Sequence, residues 1–272
     1  MTADAATLAG EAAFAEDLAR RAGRLLAEAA EPAGAQGGLG RAATRKSSRT
    51  DLATAADRAS ERLIVDALRV GHPDDAILGE EGGELVGRSG RTWVVDPLDG
   101  TTNFVYAYPA WAVSIALVDE SGPLLGVVHD PTHDETFCAT RGGGATLNGR
   151  PLAARRAPAL AEALVGTGFS YDAEARAAQG RLVARVAGAV RDLRRSGAAS
   201  LDLCYVAAGR LDAYYEAHLK PWDSAAGLLV AREAGARSAE VRGLGVPEET
   251  LVVAADGLLE PLLALLREAA AS

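Results

Sequence analysis

Two aspartates three residues apart, Asp96 and Asp99, directly follow the apolar run Trp93–Val95 in the segment Asp96-Pro97-Leu98-Asp99-Gly100-Thr101-Thr102-Asn103. Pro97 and Gly100 predict a tight loop that turns both carboxylates the same way. Carboxylates that close repel each other unless one is protonated or a cation sits between them. An oxygen-only pair suits Mg²⁺, Mn²⁺ or Ca²⁺ better than zinc or copper. Gly100, Thr101 and Thr102 then offer backbone N–H groups and two hydroxyls, and a following helical turn would aim the N–H groups at an anion such as phosphate. Cation-binding acids beside an anion-binding turn are the parts phosphoryl transfer needs. A lone D-P-x-D segment reads more readily as an Asx-type turn capping a strand.

Other acids occupy similar places. Gly79-Glu80-Glu81-Gly82 closes an apolar run at Ala76–Leu78, and Trp222-Asp223-Ser224 opens a helix after Lys220-Pro221. Asp223 alone is an ordinary N-cap, and Asp57, inside a helical stretch, is by default a solvated acid. His72, His129, His133 and His218 show no metal-ligand spacing and read as structural or surface groups. Cys138 and Cys204 form no CxxC pair, so they point to small apolar sites, not to a disulfide or a thiolate zinc centre.

The elements that must carry these residues fall into two halves. Thr7–Ala30, rich in Ala, Leu and Glu, predicts an amphipathic helix ending before Pro32. Gly34–Gly40 and the basic run Arg41–Thr50 read by composition as a mobile surface loop. A second helix is expected from about Asp51 to Val70. Strands follow at Ala76–Gly79, Trp93–Val95, Ala112–Val118, Leu124–His129 and Glu135–Thr140, with Ser121-Gly122-Pro123 predicting an antiparallel reversal. Beyond Pro151 the pattern alternates: strand Ala163–Thr167, helix Ala173–Val190, helix Ala199–Ala208, strand Leu211–Glu216, helix Ser224–Ala234, strand Leu251–Ala255 and helix Leu258–Ala270. The expected division is 1–150, carrying the loop and the main acidic motif, and 151–272, carrying Glu216 and Asp223.

Composition sets outer bounds. The 272 residues are 49% hydrophobic and 24% charged, which suits a folded domain or two and excludes a disordered tail. With 28 Lys+Arg against 37 Asp+Glu, the formal net charge of −9 opposes non-specific nucleic-acid binding and a polybasic membrane contact. The start, Met1 to Glu11, lacks the pattern of a signal peptide, and no apolar run reaches the ~18 residues of a membrane span. A cytoplasmic, reducing setting is the expectation.

Taken together, these segments resemble the inositol monophosphatase family of Mg²⁺-dependent, typically lithium-sensitive phosphatases. Trp93 through Phe104 matches the family's first motif, Trp222-Asp223-Ser224-Ala225-Ala226-Gly227 its second, and Asp51 to Asp57 and Gly79-Glu80-Glu81 two further blocks in the same order. The resemblance spans about Leu8 to Leu266. It implies a layered αβαβα sandwich of the sugar-phosphatase type, with an N-terminal α+β part, a C-terminal α/β part and the pocket between them.

The resemblance also implies roles. Glu80, Asp96, Asp99, Asp223 and the Leu98 carbonyl would hold two or three Mg²⁺ ions, with Mn²⁺ as a substitute. Thr101, Asp57, Glu80 and Lys46 form the implied catalytic set, with Thr101 and Asp57 orienting the attacking water. The stretch around Lys46 becomes a lid where composition suggested an inert loop. Asp96, Gly100, Thr101, Gly197, Ala198, Ala199, Glu216 and Asp223 would contact substrate, the Gly100 and Thr101 amides holding phosphate and Glu216 a hydroxyl. An acidic wall favours a polyol monophosphate such as inositol 1-phosphate over a bisphosphate. Histidinol phosphate, fructose 1,6-bisphosphate and 3′-phosphoadenosine nucleotides stand as alternatives, and a protein contact with the transcription machinery as one from another class. A homodimer, with no direct nucleic-acid or membrane partner, is also implied. Tyr106 stands where a histidine is frequent in the family, and Ala198-Ala199-Ser200 replaces a common Gly-Thr-Ala. Both departures bear on substrate, not on the metal set.

Overall fold

Leu8, Ala12, Ala15, Leu18, Ala19, Ala22 and Leu26 recur at helical spacing and are all buried, so the first element is a helix laid along a core. In the computed structural model of the chain, residues 5–34, 44–45, 52–53, 55–80, 82–156 and 159–271 are described. The first half runs α1 (Ala5–Gly34), the short hairpin β1 (Thr44–Arg45) and β2 (Leu52–Ala53), α2 (Ala55–Gly71), β3 (Ala76–Gly79), β4 (Gly83–Leu85), β5 (Thr92–Asp99), α3 (Thr101–Val105), β6 (Ala112–Asp119), β7 (Gly122–Asp130), β8 (Glu135–Thr140), β9 (Gly144–Leu147) and β10 (Arg150–Leu152). A single 3₁₀ turn leads to β11 (Leu164–Thr167), α4 (Ala173–Val186), β12 (Asp192–Arg194), α5 (Ala199–Ala207), β13 (Ala213–Ala217), α6 (Pro221–Glu233), β14 (Arg237–Val241), β15 (Thr250–Ala254) and α7 (Leu259–Ala271).

Eight strands form one sheet in the order β10-β9-β8-β7-β6-β5-β3-β4, and five form another in the order β12-β11-β13-β15-β14. In the first sheet β3 and β5 run parallel and the other neighbours antiparallel. The expected β6–β7 reversal is among the antiparallel pairs. Strand alternation sends Trp93 and Val95 to one face, against Leu18 and Leu26 of α1 and Ile64 and Leu68 of α2. Val94 goes to the other face, with Val128 and Phe137, against Leu201 and Cys204 of α5 and Ala226 and Val230 of α6. The opposite sides of α5 and α6 offer Leu203, Val206, Leu228 and Ala231 to Tyr214, Leu251 and Val253 of the second sheet. That sheet's outer face, with Val165, Tyr215 and Val252, packs on Leu182 and Val186 of α4 and Leu262 and Leu266 of α7. The layers therefore read helix, sheet, helix, sheet, helix, the αβαβα sandwich the resemblance implied.

Some expectations need correcting. The helix α1 continues past Pro32 to Gly34. The helix expected from Asp51 begins at Ala55, because Leu52–Ala53 pairs antiparallel with Thr44–Arg45; Asp51 itself lies outside the described residues. The Asp96–Asp99 segment is not a loop. β5 runs through it, and its register against β6 shifts between Asp96 and Asp99, which lets Pro97 sit in a strand without breaking a ladder bond. Both cysteines are free and buried, as expected. No helix among the described residues is long and apolar enough to cross a membrane.

Candidate active site

The β5 bulge shapes the site's floor. Asp96 turns back to accept the Leu98 N–H at 3.0 Å, Ser60 of α2 donates to the Pro97 carbonyl at 2.9 Å, and the Thr101 hydroxyl donates to the Leu98 carbonyl at 3.0 Å. Gly100 reverses the chain with φ 85°, a left-handed conformation at the start of α3. A Cβ there would come within 2.9 Å of the Ala110 carbonyl oxygen, so only glycine makes this turn without moving the segment that leads into β6. β3 ends beside β5, and Glu80 continues the pairing through its N–H to the Val95 carbonyl at 3.3 Å. The ends of β3, β5 and β13 and the first turns of α3 and α6 thus meet at one cleft of about 400 Å³.

Glu80, Asp96, Leu98, Asp99, Gly100, Thr101, Gly197, Ala199, Glu216 and Asp223 all line that cleft. Ala198 does not; it is buried among α5 and α6 side chains. Asp57 does not line it either, yet it is not the solvated acid its helix suggested. It is fully buried, and its charge acts on Asp96. Asp223 is not an N-cap. Lys220 occupies that position, and Asp223, three residues on, accepts the Lys220 N–H at 2.6 Å, as in a capping box. Lys46 lies outside the described residues, as does the Arg41–Thr50 run apart from Thr44 and Arg45.

Electrostatics set these acids apart. Burial first, then repulsion from Glu80, Asp99, Asp223 and Asp57, pushes the Asp96 carboxyl well above the ordinary aspartate range. Burial lifts Asp99 to about 6, opposed by the Ser200 hydroxyl and N–H, which donate to its Oδ2 at 2.5 and 2.8 Å. Burial and then Asp99 raise Asp223 to about 8. Such a cluster is costly to ionise unless positive charge joins it. Its donors are all oxygen, as a hard divalent cation prefers. Among the described residues no three acidic or histidine side chains converge on one point. The fit to a cation therefore rests on donor chemistry and mutual repulsion, and on these it is good.

Another part of the cleft wall carries groups to which the sequence assigned no site role. Arg195, His218 and Lys220 line the cleft with Phe169, Tyr171 and Trp222. His218, expected to be structural or on the surface, adopts φ 69° on this wall, with Nε2 3.3 Å from Glu248. Nothing in the spacing marked it. The other histidines are structural: His72 packs on Phe14 and Trp93, while His129 and His133 bond Thr136 and Asp130. Asn103 donates to the Ala110 and Ser196 carbonyls at 2.6 and 2.9 Å, tying α3 to the loop before Gly197. The Ser196 hydroxyl donates to Asp202 at 2.7 Å, and burial raises that acid to about 8. Glu216 is lifted to about 7 by burial, against the Tyr214 hydrogen bond and the nearby Arg195 charge.

Comparison with known proteins gives a consistent set of likenesses. Residues 9–271 match the model of the inositol monophosphatase family. The inositol-1-monophosphatase of Mycobacterium leprae is 44% identical over 243 residues, covering 84% of this chain and 82% of the relative. A protein of Xylella fastidiosa named Nus factor SuhB is 46% identical over 201 residues, 74% of this chain and 73% of its own. The solved structure of Mycobacterium tuberculosis SuhB superposes with a TM-score of 0.79 at 39% identity, covering 96% of this chain and 97% of that one.

Proposed function

The chain belongs to the inositol monophosphatase family, and from that premise we propose that it hydrolyses a polyol phosphate monoester, inositol 1-phosphate or a close relative, to the free polyol and inorganic phosphate. The observation that carries this is the meeting of Glu80, Asp96, Asp99 and Asp223 with the Gly100–Thr101 turn in one cleft. Glu80, Asp96, Asp99, Asp223 and the Leu98 carbonyl would hold Mg²⁺, two or three ions, or Mn²⁺ in its place. When bound, such cations neutralise charge on the transferring phosphoryl group and leaving oxygen and acidify water. Monoester hydrolysis needs a rate enhancement of up to ~10²¹, and a general base supplies only ~10²–10⁴ of it, so an acidic cation site is the reasonable source of the rest.

The chain's own groups have separate tasks in this reading. The Gly100 and Thr101 N–H groups hold phosphate at the start of α3. The Thr101 hydroxyl, fixed by the Leu98 carbonyl, orients the attacking water with help from Asp57. Lys46 acts from the preceding segment as part of a lid. Gly197 and Ala199 bound the substrate ring, and Asp96, Glu216 and Asp223 face its hydroxyls. The cleft lies between the halves 1–150 and 151–272, and lithium sensitivity, a homodimer and a cytoplasmic setting complete the reading.

Arg195 and Lys220 on the wall favour one rival within the same chemistry, since a bisphosphate or 3′-phosphoadenosine nucleotide needs positive charge for its second phosphate. The Nus factor name of the Xylella relative favours a partner role in transcription alongside catalysis. Phosphate release from inositol 1-phosphate, histidinol phosphate, fructose 1,6-bisphosphate and a 3′-phosphoadenosine nucleotide, each with Mg²⁺ and then EDTA, tests the choice. Metal-dependent turnover led by inositol 1-phosphate is expected. Turnover led by either doubly phosphorylated compound would reassign the substrate, and none on any ester would favour the partner role.

A further inference from the structure

We infer that Tyr214 is a positioning residue for substrate selection, acting through Glu216; the inference rests on the polyol-phosphate reading of the cleft. Both residues lie on β13, two apart, and so share the face turned toward α5 and α6. Glu216 lines the cleft. Tyr214 lies behind it, fully buried among Leu203, Val206 and Leu228, and its hydroxyl donates to Glu216 Oε2.

A phenylalanine would fill that core equally well. A buried phenol is costly unless its hydroxyl finds a partner, and here the partner is the carboxylate on the substrate wall. Burial, then the charges of Glu216 and Asp202, keep the Tyr214 phenol well above its ordinary pKa, so it stays a donor. The neighbouring strand also bounds the carboxylate. β11 runs parallel to β13, with Gly166 opposite Tyr214 and Thr167 opposite Tyr215, which brings Gly168 alongside Glu216. A Cβ on Gly168 would overlap the Glu216 carboxyl group. The carboxylate is therefore seated over a glycine and tethered through Oε2. Oε1 has no hydrogen bond to the described residues and is left to accept from a substrate hydroxyl. This pins one acceptor in place and selects esters whose leaving group carries hydroxyls.

The test compares Michaelis parameters for inositol 1-phosphate and for p-nitrophenyl phosphate, which offers Glu216 no hydroxyl, in wild type, Tyr214→Phe and Gly168→Ala. Loss of one charge-assisted hydrogen bond should raise KM for inositol 1-phosphate about tenfold in Tyr214→Phe. Its kcat should change by less than about threefold and kcat/KM for p-nitrophenyl phosphate by less than about twofold. Gly168→Ala displaces the same carboxylate and should shift the same ratio, so the test survives if Tyr214→Phe does not fold. The Tyr214→Phe/Glu216→Gln double variant should be no worse than Glu216→Gln alone, because the tyrosine acts only through the acid. A wild-type chain that prefers the polyol ester, with an unchanged ratio in the variants, overturns the inference alone. So does an equal loss on both esters. A wild type with no preference removes the substrate reading and this inference together.

Discussion

Asp96, Asp99, Asp223 and Asp202 share a position that water would not choose for them, and the cost has a measurable sign. Asp223 and Asp202 hold their protons to about pH 8 in the folded chain, against an ordinary aspartate value of 3.8. Between those limits the folded state binds more protons than the unfolded one. Their contribution is therefore full below 3.8 and is lost as pH rises toward 8. Chain stripped of divalent cations should lose several degrees of Tm between pH 5 and 8. Mg²⁺ should raise Tm most at the upper end, where binding it need not displace those protons. A stripped chain that melts higher at pH 8 than at pH 5 would contradict this account of the acids. The pattern of acids following short apolar runs marked Glu80, Asp96 and Asp99, while Glu216 and Asp223 took a site role only through the resemblance; all five line the cleft. Composition misjudged Asp57 as solvated, because one acid in an amphipathic helix looks the same in sequence whether it faces water or is buried.

At the scale of elements, the positions of β5 and α1 matter most. Arg91, just before β5, donates to Asp75 at 3.1 and 2.8 Å and to Glu11 of α1 at 2.7 Å, while the Trp93 indole donates to Asp75 at 3.0 Å. Both acids are buried, so removing the arginine takes the charge partner from two interior carboxylates and leaves Asp75 its bond to Trp93. Arg91→Ala should destabilise the chain by about 3–5 kcal/mol, while kcat of the protein still folded stays near wild type; chemical denaturation and turnover measured together would check this. The apolar runs made β3, β6, β7 and β8 legible to within a residue or two. The continuation of β5 through Pro97 was not, because a bulge depends on pairing with β6 rather than on local preference. The edge strands β4 and β10 and the outer strands β12 and β14 escaped notice because they are short and contain no fully buried residue, so they form no apolar run.

On the scale of the molecule, α5 and α6 form a middle layer whose two sides belong to different sheets. Neither sheet can lose that layer without exposing the other's core, so calorimetry should show one cooperative transition with equal calorimetric and van't Hoff enthalpies. Two resolved transitions would mean that the sheets unfold separately. The layered arrangement was implied by resemblance, since alternating elements alone do not say which sheet a helix covers. Arg195, His218 and Lys220 were illegible as wall residues for a related reason: they come from loops that only the packed layers bring to Asp96. The central claim is that this assembled acidic cleft hydrolyses a phosphate ester with a divalent cation. The most direct measurement is phosphate release from inositol 1-phosphate across a Mg²⁺ titration, in wild type and Asp96→Asn. The prediction is saturable activation by Mg²⁺, loss in EDTA, and a variant at least about a thousandfold slower. Turnover indifferent to EDTA, or an Asp96→Asn chain as active as wild type, would contradict it.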